Sequence, residues 1–151
     1  DQNIHLKHLG PEPISIKLNI DYFKNYIKGK ERTIKDLLMD QKFISGLGNI
    51  YVNEILFYSG VKPAKKIKKL TNFEIQKIIK FSKKIISKAI VLGGSSIKDF
   101  SSSSGKKGSF QQYFCVYGKK GENCSKVKCT GKIKKIVIAN RASFFCNKCQ
   151  K

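Results

Sequence analysis

Four of the five cysteines in this 151-residue chain fall in two pairs, Cys124-x4-Cys129 and Cys146-x2-Cys149, separated by sixteen residues. Pairs at this spacing are metal-ligand pairs, and four thiolates suit tetrahedral zinc. Four sulfurs fill the coordination sphere and leave no position for water, so one structural zinc is expected and not a catalytic one. An odd number of cysteines in paired clusters also favours metal in a reducing compartment over a disulfide framework. Cys115 falls outside the pattern and is expected to be a small buried residue.

Arg141 lies between the two cysteine pairs, at the turn of what reads as a hairpin. Its planar guanidinium can grip two phosphate oxygens at once, which a lysine cannot do. A second feature, Gly46-Leu47-Gly48-Asn49, places glycines just before a helical run. There Gly48 would let backbone come close to a phosphate, the helix N-terminus would attract it, and Asn49 would both cap the helix and donate to the same group. Taken alone, such a pattern also describes an ordinary turn between helices. Lys30 and Lys35, just upstream, would extend a phosphate track.

These residues need elements to position them. Gly10-Pro11-Glu12-Pro13 excludes regular helix, so residues 1–19 read as an extended lead-in. Asp21 is expected to cap a short helix ending at Ile27. Thr33 followed by Asp36 resembles a capping box, which would open a second helix running to about Gln41. A third helix is expected from Asn49 to about Tyr58, ended by Gly60 and Pro63. The strongest periodic signal follows Thr71-Asn72-Phe73-Glu74, where Ile75, Ile78, Ile79, Ser82, Ile85, Ile86, Ala89 and Ile90 form one helical stripe before Gly93-Gly94. Residues 95–108 turn to Ser, Gly and Lys and read as a mobile loop, either a linker or a segment that orders on a ligand. Ile133–Ile138 and Ala142–Phe145 are two short β-type runs split by Ala139-Asn140-Arg141, which reads as a hairpin tip. The hairpin would bring the cysteine pairs together at one end.

The charge narrows the partner. Lys and Arg total 31 against 10 Asp and Glu, a formal net charge of +21, well beyond what solubility needs, and a polyanion would relieve the self-repulsion. Of the basic residues only Arg32 and Arg141 are arginine, so part of the lysine content reads as compositional background. The basic residues are spread along the chain instead of on one anchoring helix, and no apolar run approaches the roughly 20 residues that span a bilayer. Nucleic acid is therefore preferred over membrane. Nothing in the pattern calls for an oligomer, and a monomer is expected.

Together these stretches resemble bacterial formamidopyrimidine-DNA glycosylases, in their carboxy-terminal half. The likeness runs from His8-Leu9-Gly10-Pro11-Glu12-Pro13 to the last cysteine pair. It is most specific at Leu38-Met39-Asp40-Gln41, at Gly46-Leu47-Gly48-Asn49-Ile50-Tyr51 with Glu54, at Val116-Tyr117-Gly118 and at Arg141-Ala142-Ser143-Phe144-Phe145-Cys146. The resemblance implies a mainly α fold with a small β zinc finger: a helix–two-turn–helix DNA-binding domain over residues 1–108, then a four-cysteine zinc-bound β-hairpin over residues 109–151. It implies DNA-backbone contacts by Lys30, Lys35, Gly48, Asn49 and Arg141, with Arg141 also the proton donor in δ-elimination. It implies zinc on Cys124, Cys129, Cys146 and Cys149. The partner would be duplex DNA holding an oxidised purine or an abasic site, with the 95–108 loop closing over a flipped base. The setting would be the bacterial cytoplasm, on the nucleoid.

The chain departs from that family in two ways. The first cysteine pair is spaced x4 where the family has x2, so the knuckle at Cys124 must be larger. The family's nucleophile is an amino-terminal proline beside a glutamate on a β-sandwich domain, a role Asp1 cannot take. The opening Asp1-Gln2-Asn3 has neither Met nor an apolar signal block, so the start reads as cut. Lacking that proline and glutamate, the 151 residues alone are expected to be inactive. Three readings compete with a glycosylase fragment of this branch. One is a free-standing zinc-containing DNA-binding module. Another is an endonuclease VIII-like glycosylase, against which the Gly93–Phe100 stretch argues. An RNA-binding zinc ribbon would need exposed stacking aromatics, whereas those here sit mostly in apolar stripes.

Overall fold

The computed structural model describes residues 8–91 and 114–151. Among them, four α-helices precede a hairpin: α1 (Ile20–Ile27), α2 (Ile34–Leu38), α3 (Asn49–Ser59), a 3-10 turn at Ile67–Lys69, α4 (Asn72–Val91), β1 (Ile133–Ile138) and β2 (Arg141–Cys146). The architecture is mostly helical with one two-stranded antiparallel sheet. The Ser/Gly stretch at 95–108, the Gly93-Gly94 helix stop and the 108/109 division all lie outside the described residues. No helix among the described residues is long and apolar enough to cross a membrane.

Helix starts follow local side-chain chemistry. Asn19, not Asp21, caps α1 by accepting the Tyr22 amide at 2.9 Å, while Asp21 sits in the first turn, where its charge favours the positive helix end. Thr33 Oγ1 accepts the Asp36 amide at 3.1 Å and opens α2. That helix stops at Leu38, with Met39 as its C-cap and short of Gln41, where Asp40 and Gln41 turn their side chains to backbone outside it. Asp40 Oδ1 accepts the Lys42 amide at 2.9 Å, and Gln41 Oε1 accepts the Gly46 amide at 2.7 Å. Thr71 and Glu74 form a reciprocal capping box at 3.1 and 2.9 Å ahead of α4. Gly60, at φ 73°, ends α3 in the left-handed region that favours glycine. The lead-in before α1 makes turns, with the Ser15 amide on Glu12 O and the Leu18 amide on Ser15 O.

Two apolar clusters result. The larger gathers Leu18, Phe23, Leu37, Phe43, Ile55 and Ile78 among its buried members. Helix α4 buries Ile75, Ile78, Ser82 and Ala89, but Ile90, the last residue of the sequence stripe, is 53% exposed. The smaller cluster comprises Phe57, Val116, Cys124, Ile133, Phe144 and Cys146. Phe57 belongs to α3, so that helix supplies side chains to both clusters and packs against both α4 and β2.

Beside Val116 of the smaller cluster, a buried acidic side chain joins α3 to the segment at 115–117. Glu54 of α3 is buried, and its carboxylate accepts the successive amides of Cys115, Val116 and Tyr117 at 2.6, 3.0 and 2.9 Å. Burial raises its pKa, against the three amides and Lys119, which lower it. Leaving three amides without an acceptor is costly, since each buried unpaired donor loses about 1–3 kcal/mol. Glu54→Ala is therefore expected to destabilise the chain by about 3 kcal/mol or more, read as a lowered urea midpoint. An unchanged midpoint would show that the clasp is dispensable.

Candidate nucleic-acid interface and metal centre

The hairpin sets the geometry of the site. Ile133 pairs with Cys146 at one end of the ladder and Ile138 with Arg141 at the other. Ala139 and Asn140 both have positive φ, 51° and 63°, as a two-residue type I′ turn requires, because its twist matches that of the strands. Arg141 is therefore the first residue of β2 and not part of a three-residue tip.

At the far end the four cysteines converge. Their sulfurs all lie within 4.8 Å of one another, with Cys124–Cys149 at 3.7 Å and Cys129–Cys146 at 3.6 Å. A tetrahedron of sulfurs with bonds of about 2.3 Å has edges of about 3.8 Å, so the donor set fits zinc despite the longer first knuckle. The Gly131 amide donates to Cys129 Sγ, and the Lys148 and Cys149 amides donate to Cys146 Sγ. Burial pushes the Cys146 thiol up, but those amides and the neighbouring thiols outweigh it and bring it down to about 7. Burial and Cys146 push Cys149 up. Cys115 stands apart, half-buried, 3.2 Å from the Tyr58 hydroxyl.

The Arg141 end meets the glycine turn. Gly48, not Asn49, is the N-cap of α3, and among the described residues no side chain caps that helix. Gly46 needs its glycine for a φ of 88°, but Gly48 has an ordinary φ of −89°, and a Cβ there would meet nothing within 4 Å. Nothing within the described chain requires glycine at position 48. Asn49 turns its carboxamide toward the hairpin, where Nδ2 donates to Ala142 O at 3.1 Å. Arg141 is exposed and forms no ion pair among the described residues. The other arginine, Arg32, is held by Asp36 at 2.7 Å and Asp40 at 2.8 Å.

The two lysines differ. Lys30 is exposed, with Nζ donating to Tyr26 O at 2.7 Å and lying over the Tyr26 ring. Lys35 is fully buried beneath the hairpin, and its Nζ donates to Ser143 Oγ at 2.5 Å and Ala142 O at 3.2 Å. Burial, assisted by the Arg141 charge, lowers its pKa to about 8. The site thus contains polar groups that sequence motifs did not single out. Asn53, fully buried one turn after Asn49, accepts the Phe144 amide at 2.6 Å and donates to Asn49 O at 2.8 Å and Ala142 O at 3.3 Å. The i, i+4 spacing from Asn49 was its available signal, since that spacing places two residues on one helix face.

A helical unit whose third helix carries an open glycine turn, clasped to a hairpin built on four cysteines, defines a two-part module in which one helix organises both parts. Residues 9–101 match the family model of the formamidopyrimidine-DNA glycosylase H2TH domain, and the chain belongs to that family. It is 39% identical over all 151 residues to a formamidopyrimidine-DNA glycosylase of Ruegeria pomeroyi, covering 53% of that protein. It is 42% identical over the same length to one from Haemophilus influenzae, covering 55%. The chain thus spans about half the length of these relatives. The Lactococcus lactis formamidopyrimidine-DNA glycosylase, solved non-covalently bound to DNA containing an AP site, superposes with a TM-score of 0.82 at 35% identity, covering 99% of this chain and 52% of that one. The MutM protein of Thermus thermophilus also gives 0.82 at 35% identity, over 96% and 55%.

Two outcomes test this geometry. A Cβ at Gly131 would collide with the Cys146 sulfur, so Gly131→Ala is expected to lose tightly held zinc, measured by elemental analysis after dialysis; full retention would refute the packing described. Lys35 has a folded pKa of about 8 against an ordinary 10.5, so its proton is shed earlier in the folded chain and its cost to stability falls as pH rises between those values. Wild type should accordingly gain melting temperature relative to Lys35→Met between about pH 7 and about pH 10. A constant difference would mean that Lys35 is not desolvated.

Proposed function

We propose that this chain is the DNA-gripping part of a formamidopyrimidine-type glycosylase and AP lyase that removes oxidised purines from duplex DNA. The observation that carries the reading is the open Gly48 position together with Arg141, which has no ion-pair partner among the described residues, the two tied through Asn49 and Ala142 O. A glycine that neither backbone conformation nor packing among the described residues requires is explained by a partner's close approach, and the start of α3, where no described side chain caps the helix, favours a phosphate. Gly48, Asn49 and Arg141 would hold the backbone, Lys30 would extend the track at the surface, and Lys35 would lend charge from beneath. Duplex DNA holding an oxidised purine or an abasic site is the proposed partner, in keeping with the AP-site DNA in the Lactococcus lactis structure.

Cys124, Cys129, Cys146 and Cys149 would hold one structural zinc. When bound, the metal ties the two knuckles together and supplies folding free energy that so small a core lacks. The proposed division puts the helical domain at residues 1–108 and the zinc finger at 109–151. Arg141 would also donate the proton in δ-elimination. By the same likeness, the attacking amine and its partner carboxylate belong to a β-sandwich domain, so residues 1–151 alone should bind without base release.

The test is fluorescence anisotropy with an abasic-site duplex across a salt series. Binding should weaken by about 0.9 log units per phosphate contact for each log unit of salt. Arg141→Ala and Gly48→Ala should each weaken it about tenfold, while an exposed lysine such as Lys69 changed to Ala should have a much smaller effect. Equal losses at all three positions would mean diffuse attraction without a defined site. Release of an oxidised base by residues 1–151 alone would place the chemistry within them and overturn the division of labour.

A further inference from the structure

A two-stranded sheet leaves each strand one unpaired edge. On β2 the Ala142 carbonyl and the Phe144 amide lie two residues apart, as the acceptor and donor of one strand edge do. Both are taken by a single side chain: Asn53 Nδ2 donates to Ala142 O at 3.3 Å, and Asn53 Oδ1 accepts the Phe144 amide at 2.6 Å. The carboxamide thus supplies the N–H and C=O that one residue of a third strand would present to this edge. Its remaining N–H serves Asn49 O at 2.8 Å, in the first turn of α3.

We propose that Asn53 is a positioning residue of the DNA-binding site, setting where Arg141 stands relative to the Gly48–Asn49 turn. The inference rests on the functional reading above. Asn49 and Lys35 also donate to Ala142 O, at 3.1 and 3.2 Å, and Lys35 to the Ser143 hydroxyl, but neither reaches the Phe144 amide, so neither spans two backbone groups of the strand edge. Two bonds two residues apart fix both the register and the angle of β2 against α3, and Arg141 directly precedes the first of them. The requirement is specific for a carboxamide. A carboxylate only accepts and would face the Ala142 carbonyl, and an aliphatic side chain of similar size makes neither bond.

A double-mutant cycle on the 151-residue chain, read as affinity for an abasic-site duplex, separates positioning from support. With Arg141 present, Asn53→Leu is expected to weaken binding about tenfold, the effect of losing two buried hydrogen bonds. In an Arg141→Ala background the same change should cost less than about twofold, because the group it acts through is gone. Zinc content and melting temperature are measured on every variant, and Asn53→Ala is carried through the same cycle. Losses that multiply in the two backgrounds would overturn the proposal, as would binding unchanged by Asn53→Leu. Loss of zinc in both Asn53 variants would also overturn it, by making the residue a structural support. If Arg141→Ala itself bound like wild type, the functional reading would fall and this inference with it; a weakened Arg141→Ala with no coupling to Asn53 would remove this inference alone.

Discussion

The open edge of β2 is the constraint on which the rest depends. A hairpin that packs one edge against a helix must find partners for backbone groups taken out of water, since an unpaired buried carbonyl or amide costs as much as a lost hydrogen bond. In a larger protein a third strand would supply them. Here α2 and α3 do so with side chains, Lys35 from one and Asn49 and Asn53 from the other, all reaching Ala142 O. The seam between helices and hairpin is therefore polar and directional. Apolar packing around Phe57 and Phe144 supplies attraction, while the hydrogen bonds decide orientation.

That solution places unusual demands on ionisable groups. Lys35 lies under the hairpin with its charge penalised by burial and by Arg141, and Glu54 of α3 is buried with its carboxylate held by three amides. Neither resembles the many exposed lysines that give the chain its formal +21. Buried groups of this kind are costly wherever another packing would leave them unpaired. The charged surface and the charged seam thus do different physical jobs with the same residue types.

The cysteine cluster and the Arg141 end occupy opposite ends of one short ladder, from Ile133–Cys146 to Ile138–Arg141. Holding the sulfurs fixes one end and the α3 contacts fix the other. The longer Cys124–Cys129 knuckle is accommodated without disturbing the sulfur spacing, with Lys128 adopting a φ of 65° inside it. Extra residues at that end alter the loop and leave the strand register intact.

Sequence and tertiary structure contributed different kinds of information. The four-sulfur cluster, the hairpin, the long α4 and the Thr33 cap of α2 were legible in order along the chain, because each depends on residues close together or on a regular spacing. The likeness of Gly46–Tyr51 and Arg141–Cys146 to a known family was legible for the same reason. Local reading erred where two neighbours competed for one role, as with Asn19 over Asp21 at α1 and Gly48 over Asn49 at α3. The burial of Lys35, the Glu54 clasp and the pairing of Asn53 with β2 join residues 61 to 108 positions apart. By itself the sequence determined the main elements and the grouping of four cysteines, since these follow from local propensity and spacing. Only the tertiary structure decided which polar side chains would leave the surface, because that depends on which unpaired backbone edge each one meets.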